Sequence, residues 1–213
     1  MATMPAHTQR HHFEPPWRGD GPHGIDVTSH DKPGPDGLRC IDQNYQVTRD
    51  LEPVCMHWAR PRQNNYRYIL NPGAKRARKM TVREANRPVS RWTLSDVRRW
   101  RRTAAADSAR PHTYAELAAY AVKHGVTICA EMKSGKFARD DVAARFVASA
   151  KAVGHAPWGM ALYGSMARCA GKCRAVIDAG GEFAVIYGRY RKRFQPVFKR
   201  TRRTWLVQPT RVW

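Results

Sequence analysis

Gly125-Val126-Thr127-Ile128-Cys129-Ala130-Glu131-Met132-Lys133-Ser134 holds a short apolar run between Gly125 and Ser134-Gly135, and its last residues bring two opposite charges together. Val126, Ile128 and Cys129 are β-formers, and an apolar run of this length bounded by turn residues reads as a buried strand of a parallel sheet. Just upstream, Thr113 with Glu116 at the N3 position forms a capping box, and Leu117, Tyr120 and Ala121 make an apolar helix face ending at Gly125. The unit is helix, tight turn, strand. α/β proteins place ligands at the carboxyl ends of such strands, and the two-residue period sends Glu131 and Lys133 to one side. A carboxylate there suits a metal ion and an ammonium suits a phosphate oxygen. A solvated ion pair at a strand end is the plainer alternative.

The same alternation continues downstream. Residues 140–153 place Val142, Phe146, Val147 and Ala150 on one helix face that stops at Gly154, and residues 158–162 are the next strand. Ser165 can cap a further helix through Val176 and Ile177 to Gly180-Gly181, followed by a strand over residues 183–187. This βαβα order predicts a parallel sheet covered by helices.

A chain of 213 residues is long enough for one well-buried domain and short for two. Its 38 Lys and Arg against 17 Asp and Glu leave a formal charge of +21, which favours anionic partners without saying which. Five cysteines are an odd number, and Cys129 falls in the central strand, so reduced thiols are expected rather than a disulfide framework. Cys169 and Cys173 share a helical face, but no second pair completes a zinc site. The first residues contain no apolar signal region and no run reaches membrane-spanning length, so a soluble, cytoplasmic protein is the default expectation.

Upstream, residues 1–37 carry repeated Pro and Asp with five of the nine histidines and read as an irregular arm. In residues 38–58, Ile41, Tyr45 and Val47 alternate with polar residues, Arg49-Asp50 makes a turn, and Pro53-Val54-Cys55-Met56-His57-Trp58 is a second strand-like run. Asp42 and Asn44 share one face of the first strand, and His57 ends the second. Residues 60–91 form a long basic excursion. A helix is expected over residues 93–102, with Leu94, Val97 and Trp100 as its apolar stripe. Between Arg189 and Arg203 there are eight Lys or Arg and no acid, interleaved with Tyr190, Phe194 and Phe198. Basic plus aromatic is the composition of single-stranded nucleic-acid binding, although a solvated tail has the same composition. A folded hairpin or connection presenting its cations at the surface is the expectation for this segment.

Taken together, these pieces resemble the glycerophosphodiester phosphodiesterase family over about two thirds of the chain. Residues 41–50 are similar to its Glu-x-Asp strand and Thr-Lys-Asp-Gly turn, and Pro53-Val54-Cys55-Met56-His57 to the strand ending in its catalytic His. Trp92-Thr93-Leu94-Ser95-Asp96-Val97 resembles its Leu-Thr-Leu-x-Glu-Leu helix start, and residues 112–133 resemble its Pro-Thr-Leu-x-Glu helix and Glu-x-Lys strand.

The resemblance implies an α/β fold of TIM-barrel-like (β/α) type over residues 38–188, and the strand-like residues 183–187 and 205–207 flanking the basic run lead us to expect the segment 189–213 packed on the same domain. The family barrel has eight strands and about six can be counted here, so a shortened barrel is expected. It also implies a phosphoric diester hydrolase of lipid metabolism, with a phosphodiester substrate and a divalent ion, Mg²⁺ or Ca²⁺, held by Asp42, Asn44 and Glu131. His57 would be general acid or base, with Lys133 and Arg18 on the phosphoryl oxygens. Departures from the family pattern are Asp42 for Glu, Asn44 for Asp, Trp17 where the family's early His-Arg-Gly begins, and Trp58 for the aspartate after His57. His11, His12, His23 or His30 could stand in for the missing histidine. A Glu-x-Lys nuclease, against which Asp96 and Asp107 count because they lie in or after a helix and not on an adjoining strand, and a non-catalytic basic scaffold binding nucleic acid or an acidic partner, remain as alternatives.

Overall fold

The structure is a computed structural model that describes residues 39–123, 126–155, 158–161, 165–181, 183–186, 195–200 and 205–210. The expected irregular arm lies outside these residues. The chain runs β1 (Arg39–Val47), β2 (Pro53–Cys55), β3 (Tyr68–Ile69), β4 (Arg78–Lys79), α1 (Val82–Asn86), α2 (Leu94–Arg98) and β5 (Trp100–Arg101). It continues with α3 (Tyr114–Lys123), β6 (Val126–Met132), α4 (Asp140–Lys151), β7 (Trp158–Ala161), α5 (Met166–Asp178), β8 (Phe183–Ile186), β9 (Gln195–Arg200) and β10 (Trp205–Thr210).

Seven strands form the main sheet, in the order β10-β9-β8-β7-β6-β1-β2. The central four, β1, β6, β7 and β8, are parallel and adjacent in chain order. Each is joined to the next through a helix. That order is singly wound, unlike a doubly wound sheet, whose order reverses at a switch point. All three connecting helices cover one face: Leu117 of α3, Phe146 of α4 and Val176 of α5 share a core with Tyr45, Ile128 and Met132 of the strands. Antiparallel partners flank the parallel strands, β2 on β1 and the β9–β10 hairpin on β8. Among the described residues β2 and β10 do not pair, so the sheet is a shortened (β/α) barrel that stays unclosed. The hairpin expected near the carboxyl end is present in β9 and β10, while Tyr190 and Phe194 lie outside the described residues.

The helix boundaries follow their caps. Thr113 Oγ1 accepts the Glu116 N–H at 3.1 Å and Glu116 Oε2 accepts the Thr113 N–H at 2.9 Å, closing the capping box of α3. Ser165 Oγ accepts from Arg168 N–H to start α5, and Gly154 with φ of 73° takes the chain out of α4.

The excursion after β2 is folded. β4-β3-β5 form a small antiparallel sheet over a second core of Val54, Met56, Tyr66, Ile69, Met80, Val89, Trp92, Val97 and Trp100. The helix expected over residues 93–102 is corrected here: α2 ends at Arg98, and Trp100 and Arg101 turn into a strand beside Tyr68 and Ile69. Pairing with β3 outweighs the helical spacing of Leu94, Val97 and Trp100, because the strand buries Trp100 completely. Thr93 nonetheless caps α2 with Asp96 in a capping box, as its motif predicts.

Candidate functional site

In β6, Ile128, Ala130 and Met132 face the helices, so alternation sends Glu131 to the opposite face. Glu131 is 1% exposed, and Lys133 Nζ lies 2.5 Å from its Oε1. With the lysine side chain only 9% exposed, this is a buried pair and not a solvated one. Lys133 is fixed at its backbone too, since its N–H donates to the Tyr45 carbonyl of β1 at 3.1 Å.

Parallel pairing sets Asn44 directly opposite Glu131 and Asp42 opposite Cys129. Asn44 is 1% exposed, and its carbonyl accepts the Met56 N–H at 2.9 Å. The fold therefore brings Asn44, Glu131 and Lys133 to one place, with Asp42 one step down the same strand. The side chain of Asp42 lies outside the described residues, as do Arg18, Trp17 and the histidines His11, His12, His23 and His30.

His57 follows Met56 at the end of β2, so the same strand pairing places its backbone beside β1. Its carbonyl accepts from Gln46 Nε2 at 3.1 Å, and its ring stacks on Trp58 with centroids 4.4 Å apart and planes 5° from parallel. Trp58 is half exposed, so it shields one face of the imidazole and offers its own outer face to solvent.

Two lysines from outside the strands also reach this end of the sheet. Lys172 of α5 is buried and donates to the Met132 carbonyl at 2.6 Å, between Glu131 and Lys133 in sequence. Burial pushes its ammonium below the ordinary lysine range, while Cys169, Cys173 and Glu131 act in the opposite sense. Lys136 donates to the Thr48 carbonyl at 2.8 Å and closes the turn between β1 and β2. Sequence reasoning passed over Lys172. Its signal was a cation at position 172 inside the buried stripe Cys169, Cys173, Val176.

Among the described residues no three His, Cys, Asp or Glu side chains gather as a metal site. The thiols of Cys169 and Cys173 are buried in the helix layer, and burial raises both above the ordinary thiol range. Asp96 is engaged in the α2 capping box and Asp107 lies in a turn, so neither stands on a strand paired to β6, as the nuclease pattern requires. No helix among the described residues is long and apolar enough to cross a membrane.

No family model and no curated protein matches the chain. Among solved structures, a protein of Silicibacter pomeroyi assigned as a glycerophosphoryl diester phosphodiesterase is 18% identical, with 73% of this chain and 55% of that one covered at a TM-score of 0.49. A protein of Galdieria sulphuraria assigned as a glycerophosphodiester phosphodiesterase is 12% identical, covering 70% and 51% at 0.44. The glycerophosphodiester phosphodiesterase of Agrobacterium tumefaciens is 11% identical, covering 67% and 52% at 0.42. The chain thus spans about half the length of the solved structures it matches.

Proposed function

We propose that the chain is a divergent member of the glycerophosphodiester phosphodiesterase family, a phosphoric diester hydrolase of lipid metabolism that works in the cytoplasm on a small phosphodiester. The observation that carries this reading is the buried Glu131–Lys133 pair set in register with Asn44 on the neighbouring parallel strand. Charged groups buried where parallel strands end are costly to fold and are retained where they perform chemistry.

The donors fit a hard divalent cation. Asn44 and Glu131 are adjacent across two strands and both buried, and an amide oxygen with a carboxylate is the ligand chemistry that Mg²⁺ and Ca²⁺ take. Asp42, Asn44 and Glu131 would hold the ion, with less charge than three carboxylates. When bound, such an ion polarises a phosphoryl oxygen. Lys133 binds Glu131 directly, which orients the carboxylate and holds an ammonium ready to neutralise charge developing on a phosphoryl oxygen, a role Arg18 would share. His57 would exchange the proton with the leaving or attacking oxygen, its ring orientation fixed by the Trp58 stack.

Release of p-nitrophenol from bis-p-nitrophenyl phosphate with Mg²⁺, Ca²⁺ or Mn²⁺ tests the proposal. Metal-dependent turnover lost in Glu131→Gln supports it, and no turnover with any of the three ions overturns it. A second reading, a scaffold that no longer binds metal, is favoured by one feature: Lys133 cancels the charge of Glu131. Calorimetric titration with Mg²⁺ and Ca²⁺ separates the two, because saturable binding that vanishes in Asp42→Ala removes the scaffold reading.

A further inference from the structure

Charge is unevenly spread along the chain. Residues 59–110, a quarter of the length, contain 15 Lys or Arg and 3 acids, and so carry +12 of the +21. This is the stretch that folds around the second core, so the excess sits on one small body. Two of its three acids serve the fold: Glu84 closes the Thr81 capping box and pairs with Arg78 at 2.6 Å, and Asp96 closes that of Thr93. They leave most of the cations unneutralised.

The small sheet gives these cations a geometry. Ile69 and Trp100 point into the core, so alternation turns their neighbours outward, where Tyr68 pairs with Lys79 on one side and Arg101 on the other. The row is cation, aromatic, cation. Lys79 is exposed, and Tyr68 and Arg101 are partly exposed. Arg101 is anchored by three carbonyls, with Nε donating to Ala106 at 2.7 Å and Nη1 to Arg98 and Trp100 at 2.7 and 2.9 Å. Lys79 and Arg101 are two strands apart with only Tyr68 in register between them, so no acidic residue of this row meets their charge. A polyanion would.

We propose that this face of the small sheet docks single-stranded nucleic acid, with Lys79 and Arg101 on phosphates and a base stacked on Tyr68. Of the 15 cations 13 are arginine, the side chain suited to bidentate phosphate contacts and to stacking. An anionic membrane is the less favoured partner. The large exposed apolar residues of the described chain are Trp58, Val82 and Val122, scattered singly and not gathered as a wedge beside this row. The proposal does not depend on the Glu131 site being active.

The test is anisotropy of a fluorescein-labelled oligothymidylate titrated with the full chain across a salt series. Low-salt binding with a log–log slope of roughly −0.7 per neutralised phosphate is expected, weakened about tenfold or more by Tyr68→Ala and retained by Tyr68→Phe. The surface pair Lys75→Glu with Lys79→Glu should lower the slope while leaving the circular dichroism spectrum unchanged, and it keeps the test decisive if Tyr68→Ala fails to fold. Oligonucleotide binding unaffected by these variants overturns the proposal by locating the contact elsewhere, including between Arg189 and Arg203. Binding to phosphatidylglycerol vesicles in place of the oligonucleotide overturns it in favour of a membrane surface.

Discussion

Glu131 and Lys133 neutralise each other out of water, which makes each a liability without the other. Glu131→Gln or Lys133→Met alone leaves one uncompensated buried charge and should cost about 3–5 kcal/mol, whereas the double variant should lose much less. Urea midpoints of the four proteins give the coupling, and additive losses would show the pair is not a unit. Lys133 also competes with any cation for the carboxylate. Lys133→Met should therefore bind Mg²⁺ more tightly, by about tenfold or about 1.4 kcal/mol, while losing turnover. Calorimetry on the variant reads the first effect and the diester assay the second. The charges at positions 131 and 133 were legible in the sequence because a two-residue period is a local property. Lys172 was not, since its partner is a carbonyl 40 residues away, brought to it by the crossover between β6 and α5.

At the scale of elements, the helix starts carry a pH dependence. The hydrogen bond from Arg78, reinforced by the Thr81 cap, holds Glu84 down from the ordinary 4.5 to about 2. For Glu116 burial acts upward, but hydrogen bonds with His112, Arg110 and the Thr113 amide outweigh it and hold the carboxyl below its usual range. Both pKa values are depressed in the folded state, so their stabilisation is complete above about pH 4.5 and is lost as pH falls toward 2. Thermal midpoints should drop across that window, and Glu116→Gln should flatten the drop. A second element-level prediction concerns the turn after α5. A Cβ on Gly181 would lie 2.6 Å from the Val176 carbonyl oxygen, so Gly181→Ala should cost about 1–3 kcal/mol, read as a lowered melting temperature. Caps at Thr113 and Ser165 were readable because a cap and its partner lie within four residues. The strand at Trp100 was misread because its partner Ile69 is distant in sequence, and only that pairing distinguishes it from one more helical turn.

For the molecule as a whole, the parallel order of β6, β7 and β8 was legible from alternation of elements, the place of β1 among them only from the family resemblance, while the second core was hidden among arginines. Its apolar residues, Tyr66, Ile69, Met80, Val89, Trp92, Val97 and Trp100, are scattered through a basic stretch without a sustained period, so composition alone reads as a loop. The two cores meet at β2, where Cys55 belongs to the first and Val54 and Met56 to the second. Trp100→Ala should cost about 3–5 kcal/mol. If β2 couples the cores, near- and far-ultraviolet circular dichroism will report one transition, and two separate transitions would show that each core melts alone. The same junction has a consequence for descent. The chain leaves the main sheet after Cys55 and returns at His112, whose carbonyl accepts the Cys55 N–H at 2.8 Å, so the small body departs and re-enters at neighbouring points, and it is tied again to the turn after β1 by Arg49 N–H on the Trp92 carbonyl at 2.7 Å and Leu94 N–H on Asp50 Oδ1 at 2.9 Å. A segment attached this way can be enlarged or exchanged between lineages with its stem unchanged, provided Val54 and Met56 find new cover and Arg49 and Asp50 new partners.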